Sequence, residues 1–186
     1  MLFNPWNHFT PDEDLDVLRG LSERVATVGR GDALEVGTWM GGSALVLAES
    51  FRSVFCVDNW CGNRDDPGDP LGQHASAMQH TPEFWFKQFC SNMGSKLYYK
   101  IVPCFGSSEL YASVWSRKLS LIFLDGDHRY EAVKADIAAW MPHVAPGGIL
   151  CGHDYSSQFP GVVQAVNEAF GPDHFAWRNR VWWHQV

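Results

Sequence analysis

Continuously apolar runs that alternate with helix-patterned segments constrain this chain most. "ALEV" (Ala33–Val36), "SVFCVD" (Ser53–Asp58), "LYYKIVP" (Leu97–Pro103), "LSLIFLD" (Leu119–Asp125) and Gly148–Cys151 read as strands. Strands apolar on both faces belong to a parallel sheet with helices on either side. Helical spacing falls between them: Ser43–Glu49, Pro82–Met93, Ser107–Trp115, a face marked by Val133, Ile137, Trp140 and Met141, and Val162–Phe170, closed by Gly171-Pro172. The ending "HFAWRNRVWWHQV" reads as two strands around Arg178-Asn179-Arg180. The predicted fold is α/β: a doubly wound, mostly parallel, seven-stranded sheet with an antiparallel C-terminal hairpin.

The 186 residues suffice for one domain with a full core, expected to span 1–186. Residues 1–30 form an N-terminal helical segment in this reading. Thr10 is its N-cap, Pro11 fits the first helical position, and Glu13 completes a capping box. Leu15, Leu18, Leu21 and Val25 follow at helical spacing. Residues 61–80, "CGNRDDPGDPLGQHASAMQH", fit no period. A loop this long in a compact domain is functional or disordered. It follows the second strand, so it would lie over the carboxyl ends of the strands as a substrate or lid loop, bringing His74 and His80 near an acceptor.

Several function classes are disfavoured. No apolar run approaches the roughly 18 residues that a membrane span needs. The start lacks a basic n-region and an apolar h-region, so the cytoplasm is the expected location. The net charge is −7, and Lys and Arg are scattered. A nucleic-acid partner is therefore not expected; a small-molecule acceptor is, with a homodimer left open. Five cysteines without C-x-x-C pairing fit reduced thiols.

Two motifs carry chemistry. In "ALEVGTWMGGSAL" (Ala33–Leu45) a strand runs into Gly37, Gly41 and Gly42, then a helix near Ser43. Glycines permit a sharp turn and a close ligand, and the helix start offers amide hydrogens to an anion. Asp58 ends the next strand, where an acid can bind ribose hydroxyls. A dinucleotide loop would read G-x-G-x-x-G, but Trp39 stands at its second glycine and would crowd a diphosphate. The observed spacing is E-x-G-x-x-x-G. The second motif is "LIFLDGDHRYEAVKADIAAWMPHVAPGGILCGHDY" (Leu121–Tyr155).

Together these resemble the class I S-adenosylmethionine-dependent methyltransferases, Rossmann-like in fold. The D-G-D-H-x-Y-E…P-G-G…G-H-D-Y pattern is similar to a branch of small O-methyltransferases acting on sugars and natural products, including the macrocin, novobiocin-pathway and cephalosporin-hydroxylase groups. The resemblance covers about Ala33 to Phe170. It implies that Glu35, Gly37, Thr38, Trp39 and Ser43 lie at the methionine end of the cofactor. It implies ribose binding by Asp58, with Asn59 and Trp60 beside the adenosine. Ser107 and Ser108 of "FGSSE" would meet the adenine edge. Asp125 would face cofactor and acceptor, and Asp125, His153 and Asp154 match positions that bind a divalent ion, usually Mg²⁺, in metal-dependent relatives.

One of those positions is His153 rather than an acid. Mg²⁺, a softer ion such as Mn²⁺ or Zn²⁺, and no metal with His153 as base all stay open. His128 is a candidate catalyst or a loop-holding residue. Asp127 and Arg129 read as turn chemistry. The expected reaction is methyl transfer from S-adenosylmethionine to a hydroxyl, with Asp125, His153 or His128 handling the proton. A nicotinamide-dependent oxidoreductase and a non-catalytic adenosine-binding module are the alternatives.

Overall fold

The structure is a computed structural model that describes residues 10–26, 31–62 and 80–186. Seven strands form one sheet: β1 (Asp32–Val36), β2 (Ser53–Asp58), β3 (Ile101–Phe105), β4 (Leu119–Leu124), β5 (Val144–Gly152), β6 (Ala176–Arg178) and β7 (Val181–Gln185). Their order is β3-β2-β1-β4-β5-β7-β6. The first five pair in parallel; β7 then pairs antiparallel with β5, and β6 antiparallel with β7. The helices are α1 (Asp12–Ala26), α2 (Gly42–Ser50), α3 (Pro82–Met93), α4 (Ser108–Val114), α5 (Tyr130–Trp140) and α6 (Pro160–Phe170). No described helix is long and apolar enough to cross a membrane.

The apolar runs are explained by two cores. Ala33, Val54, Cys56, Leu121 and Phe123 point to the face covered by α1, α2 and α3. Leu34, Val36, Phe55, Val57, Ile122 and Leu124 point to the face covered by α4, α5 and α6. Alternate side chains enter opposite cores, so neither face of a central strand tolerates a polar pattern.

Two boundaries differ from the sequence reading. β3 begins at Ile101, not Leu97. Tyr98 adopts φ +59°, its amide donates to the Ile101 carbonyl at 2.8 Å, and the Lys100 amide donates to Lys96 at 2.9 Å, so residues 98–100 are a turn. β5 starts at Val144, ahead of the expected Gly148, with a register shift against β4. The 61–80 loop, His74 included, falls mostly in 63–79, outside the described residues. His80 is exposed and stacks on Phe84 at 4.1 Å.

The sheet reverses direction of winding between β1 and β4, where open α/β sheets bind ligands. Each strand there is extended by one bond to its neighbour's end. Gly106 N donates to Asp58 O at 2.9 Å, Gly37 N to Val57 O at 2.9 Å, Asp125 N to Val36 O at 2.9 Å, and His153 N to Leu124 O at 3.0 Å. The residues that follow β3, β1, β4 and β5 are thereby aligned along one edge.

Gly37 is required in that row. It sits at φ +82°, and a Cβ there would lie 2.1 Å from the Asp125 carbonyl oxygen. Gly37→Ala is expected to destabilise the fold by about 2 kcal/mol or more, from the left-handed backbone and the clash. Gly20→Ala on exposed α1, with nothing within 4 Å, is expected to gain about 0.5–1 kcal/mol. Urea unfolding midpoints of both variants check this; equal effects would contradict the assigned role of Gly37.

Candidate active site

The site is built from the ends of β1, β2, β4 and β5. At β1, Glu35 is fully buried. Thr38 Oγ1 donates to its Oε2 at 2.5 Å and Ser43 Oγ donates to its Oε1. Burial pushes the Glu35 carboxyl up to about 8, against the opposing pull of the two hydroxyls. These three side chains are therefore spent on one another and shape the loop 37–43. What the loop can offer a ligand is mainly backbone. Gly41, at φ +86°, gives its missing side-chain space to Met93 and Phe89 of α3.

Asp58 joins this loop to the next. Its Oδ2 accepts from Trp39 N at 2.7 Å and its Oδ1 from Trp60 N at 2.7 Å. Trp60 Nε1 donates to the Trp39 carbonyl at 2.9 Å. Trp39 (φ +43°) and Trp60 (φ +50°) are both left-handed, a strain that the clamp sustains. Burial raises the Asp58 pKa, opposed by the amides of Trp39, Trp60 and Asn59. Three amides on a carboxylate with four lone pairs leave acceptor capacity for a ribose hydroxyl. Asn59 is exposed and folds its Oδ1 back onto Cys61 N at 2.8 Å. Trp60 is wholly buried against Phe86, Phe89 and Phe105.

Ser107 and Ser108 present their hydroxyls differently. Ser107 caps α4, accepting from Leu110 N at 3.2 Å. Ser108 turns inward, donating to Asp136 Oδ1 at 2.5 Å and accepting from Trp140 Nε1 at 2.8 Å. The N-cap bond takes only a lone pair of Ser107 and leaves its exposed hydroxyl hydrogen for a ligand, whereas the buried Trp140 indole demands an acceptor and turns Ser108 inward. Burial lifts Asp136 to about 6 despite the Ser108 bond.

The ends of β4 and β5 bring Asp125, His128, His153 and Asp154 around a water-sized cavity that Asp127 and Asp136 also line. His128 Nε2 lies 2.9 Å from Asp154 Oδ2. His153 Nδ1 lies 3.4 Å from Asp125 Oδ1 and 3.3 Å from Asp154 Oδ2. Asp154 holds φ +60°. Gly161 lets α6 press on the 128–130 turn, since a Cβ there would lie 2.7 Å from the His128 carbonyl. Asp127 and Arg129 pair with each other, and Asp125 caps no helix, because α5 starts from Arg129.

Sequence reasoning missed Asp14. It is 1% exposed on α1, and its Oδ2 meets His153 Nε2 at 2.9 Å and Arg180 Nε at 3.1 Å. The available signal was its position: Asp14, Leu18, Leu21 and Val25 share one helical stripe. Burial pushes Asp14 up, but the bonds from His153 and Arg180 hold it below the usual carboxylate range. Burial pushes His153 down, but Asp125, Asp14 and Asp154 together raise it well above 6.5. Asp154 is likewise held low by His128 and His153 against its burial. Carboxylates thus face both ring nitrogens of His153, which favours its protonated form.

The donor set fits a divalent cation. Asp125, His128 and Asp154 each offer a ligand atom within 4.8 Å of the others. His153 Nδ1 adds a second nitrogen bordering the same two carboxylates. His128 thus joins the metal-ligand candidates that the sequence had confined to Asp125, His153 and Asp154.

A family model described as a methyltransferase domain matches residues 34–155. The chain belongs to that family. Solved structures agree on the fold. The O-methyltransferase NovP is similar with a TM-score of 0.72 and 19% identity, over 96% of this chain and 81% of that one. CalS11, a calicheamicin methyltransferase, gives 0.69 and 19%, over 93% and 78%. An O-methyltransferase from Bacillus cereus, solved with S-adenosylhomocysteine, gives 0.64 and 14%, over 98% and 84%. The methyltransferase assignment displaces the oxidoreductase reading.

The buried Glu35 of this methyltransferase makes its stability depend on pH. Between 4.5 and about 8 the unfolded chain loses the Glu35 proton while the folded chain keeps it. The folded state binds more protons there, so this contribution is full below 4.5 and is lost as pH rises to about 8. Glu35→Gln is expected to flatten the fall in stability, by up to about 1.4 kcal/mol per pH unit. Thermal unfolding of ligand-free wild type and variant across this range checks it. Parallel pH profiles would refute the buried neutral acid.

Proposed function

We propose that this methyltransferase moves a methyl group from S-adenosylmethionine to a hydroxyl oxygen of a small molecule, with a divalent ion at Asp125 and Asp154. The observation that carries the reading is the backbone row that sets Asp58, the Gly37 loop, Asp125 and His153 side by side. Ribose-binding capacity and an acid–imidazole cluster then meet across the switch point.

When bound, S-adenosylmethionine supplies a methyl group on an already activated sulfonium. Asp58 accepts from the ribose hydroxyls. Backbone groups of 37–41 receive the methionine end, on a loop braced by Glu35, Thr38 and Ser43. Asp125, whose own carbonyl packs on Gly37, serves as the proton acceptor beside that end. The acceptor oxygen forms a bond to the methyl carbon, the carbon–sulfur bond breaks, and the hydroxyl proton passes to Asp125. Asp125 and Asp154 would hold the ion, which would lower the pKa of the hydroxyl. His128 holds Asp154 in place, and His153 Nδ1 borders both carboxylates.

A sugar hydroxyl is the acceptor class we favour. CalS11, at 19% identity, is a TDP-rhamnose 3'-O-methyltransferase. The test is transfer of labelled methyl from S-adenosylmethionine to a panel of nucleotide-linked and glycosidic sugars, with Mn²⁺ or Mg²⁺ added. Asp125→Asn is expected to lower turnover by about 10²–10⁴-fold while S-adenosylhomocysteine affinity stays near wild type. Full turnover in that variant would remove Asp125 from the chemistry.

A further inference from the structure

Asp14 belongs to neither motif, yet it is the most buried acid touching the cluster. It reaches the site from α1, over 100 residues before His153. Its Oδ2 takes His153 Nε2 at 2.9 Å, and the Arg180 guanidinium at 3.1 Å and Arg180 amide at 3.3 Å fix the carboxylate from the other side. The bond determines how the imidazole points. With Nε2 turned to Asp14, Nδ1 must face the Asp125 and Asp154 oxygens, and it does so at 3.4 and 3.3 Å.

Those separations are the spacing of neighbouring ligands. Ligand atoms at about 2.0–2.1 Å from a six-coordinate ion stand about 3 Å from one another. A ligating histidine almost always gives its second N–H to a carboxylate or carbonyl, which fixes tautomer and orientation. Asp14 stands in that position. A site with an imidazole among its ligands also changes the preferred ion, since Mg²⁺ demands oxygen whereas Mn²⁺ and later divalent ions accept nitrogen.

We propose that Asp14 is the positioning residue that turns His153 into a nitrogen ligand, so that Asp125, His153 and Asp154 bind Mn²⁺ in preference to Mg²⁺. The inference rests on the metal-assisted reading above and adds a residue from the N-terminal helix to its site.

Mn²⁺ and Mg²⁺ binding is measured by calorimetry on the full chain, with electron paramagnetic resonance of free Mn²⁺ as a second readout. Wild type is expected to bind Mn²⁺ more tightly than Mg²⁺. Asp14→Asn is expected to weaken Mn²⁺ binding about 10–100-fold, with S-adenosylhomocysteine affinity unchanged. Ser22→Ala is the structural control: Ser22 is buried on the same helix, bonds Leu18 O at 2.7 Å, and makes no bond to His153. It should leave Mn²⁺ affinity at the wild-type value. Mn²⁺ affinity equal in wild type and Asp14→Asn, an equal loss in Ser22→Ala, or a wild-type preference for Mg²⁺ would overturn the proposal. If wild type binds S-adenosylhomocysteine but neither ion, the metal inference fails and methyl transfer stands. If it binds no S-adenosylhomocysteine, the methyl-transfer reading itself fails.

Discussion

The row of backbone hydrogen bonds along the carboxyl ends of β3, β2, β1, β4 and β5 is the constraint on which the rest depends. Each bond ties the first residue beyond one strand to the last part of its neighbour. Asp58, Gly37, Asp125 and His153 cannot move independently once these bonds form. Gly37 makes the row feasible, because any side chain would collide with the Asp125 carbonyl. The placement of these groups therefore comes from the sheet, and the side chains only finish it.

On either side of that row the polar groups are arranged differently. Around β1 and β2, Glu35, Thr38, Ser43 and Asp58 bond mostly inward, to each other and to the amides of Trp39 and Trp60. This half is a rigid frame whose exposed chemistry is backbone and the spare lone pairs of Asp58. Around β4 and β5, two imidazoles sit among Asp14, Asp125 and Asp154. Opposite charges there compensate one another at burial where unpaired charge would be costly. One half suits holding a neutral or weakly charged ligand; the other suits handling a proton or a cation.

Much of this was legible in the sequence. The strands could be read because each feeds two cores, which leaves runs such as Leu121–Leu124 without a polar break. Asp58 and Asp125 could be placed at the strand ends because each apolar run stops at them. Asp14 could not, because an acid in a first helical turn is ordinarily explained by the helix dipole, and only tertiary packing reveals its burial. Ser107 and Ser108 looked alike in sequence, but one caps a helix and the other meets Trp140, a distinction set by contacts 32 residues apart. The β3 boundary was misplaced because Leu97, Tyr98 and Tyr99 have strand propensity, which the turn at Tyr98 overrides.

The central claim is that the ends of β1 and β2 receive the S-adenosyl group. The most direct measurement is a calorimetric titration of the wild-type chain with S-adenosylhomocysteine, run beside one with NAD. The account predicts saturable one-site binding of S-adenosylhomocysteine and no heat of binding from NAD. Binding of NAD with indifference to S-adenosylhomocysteine would contradict it.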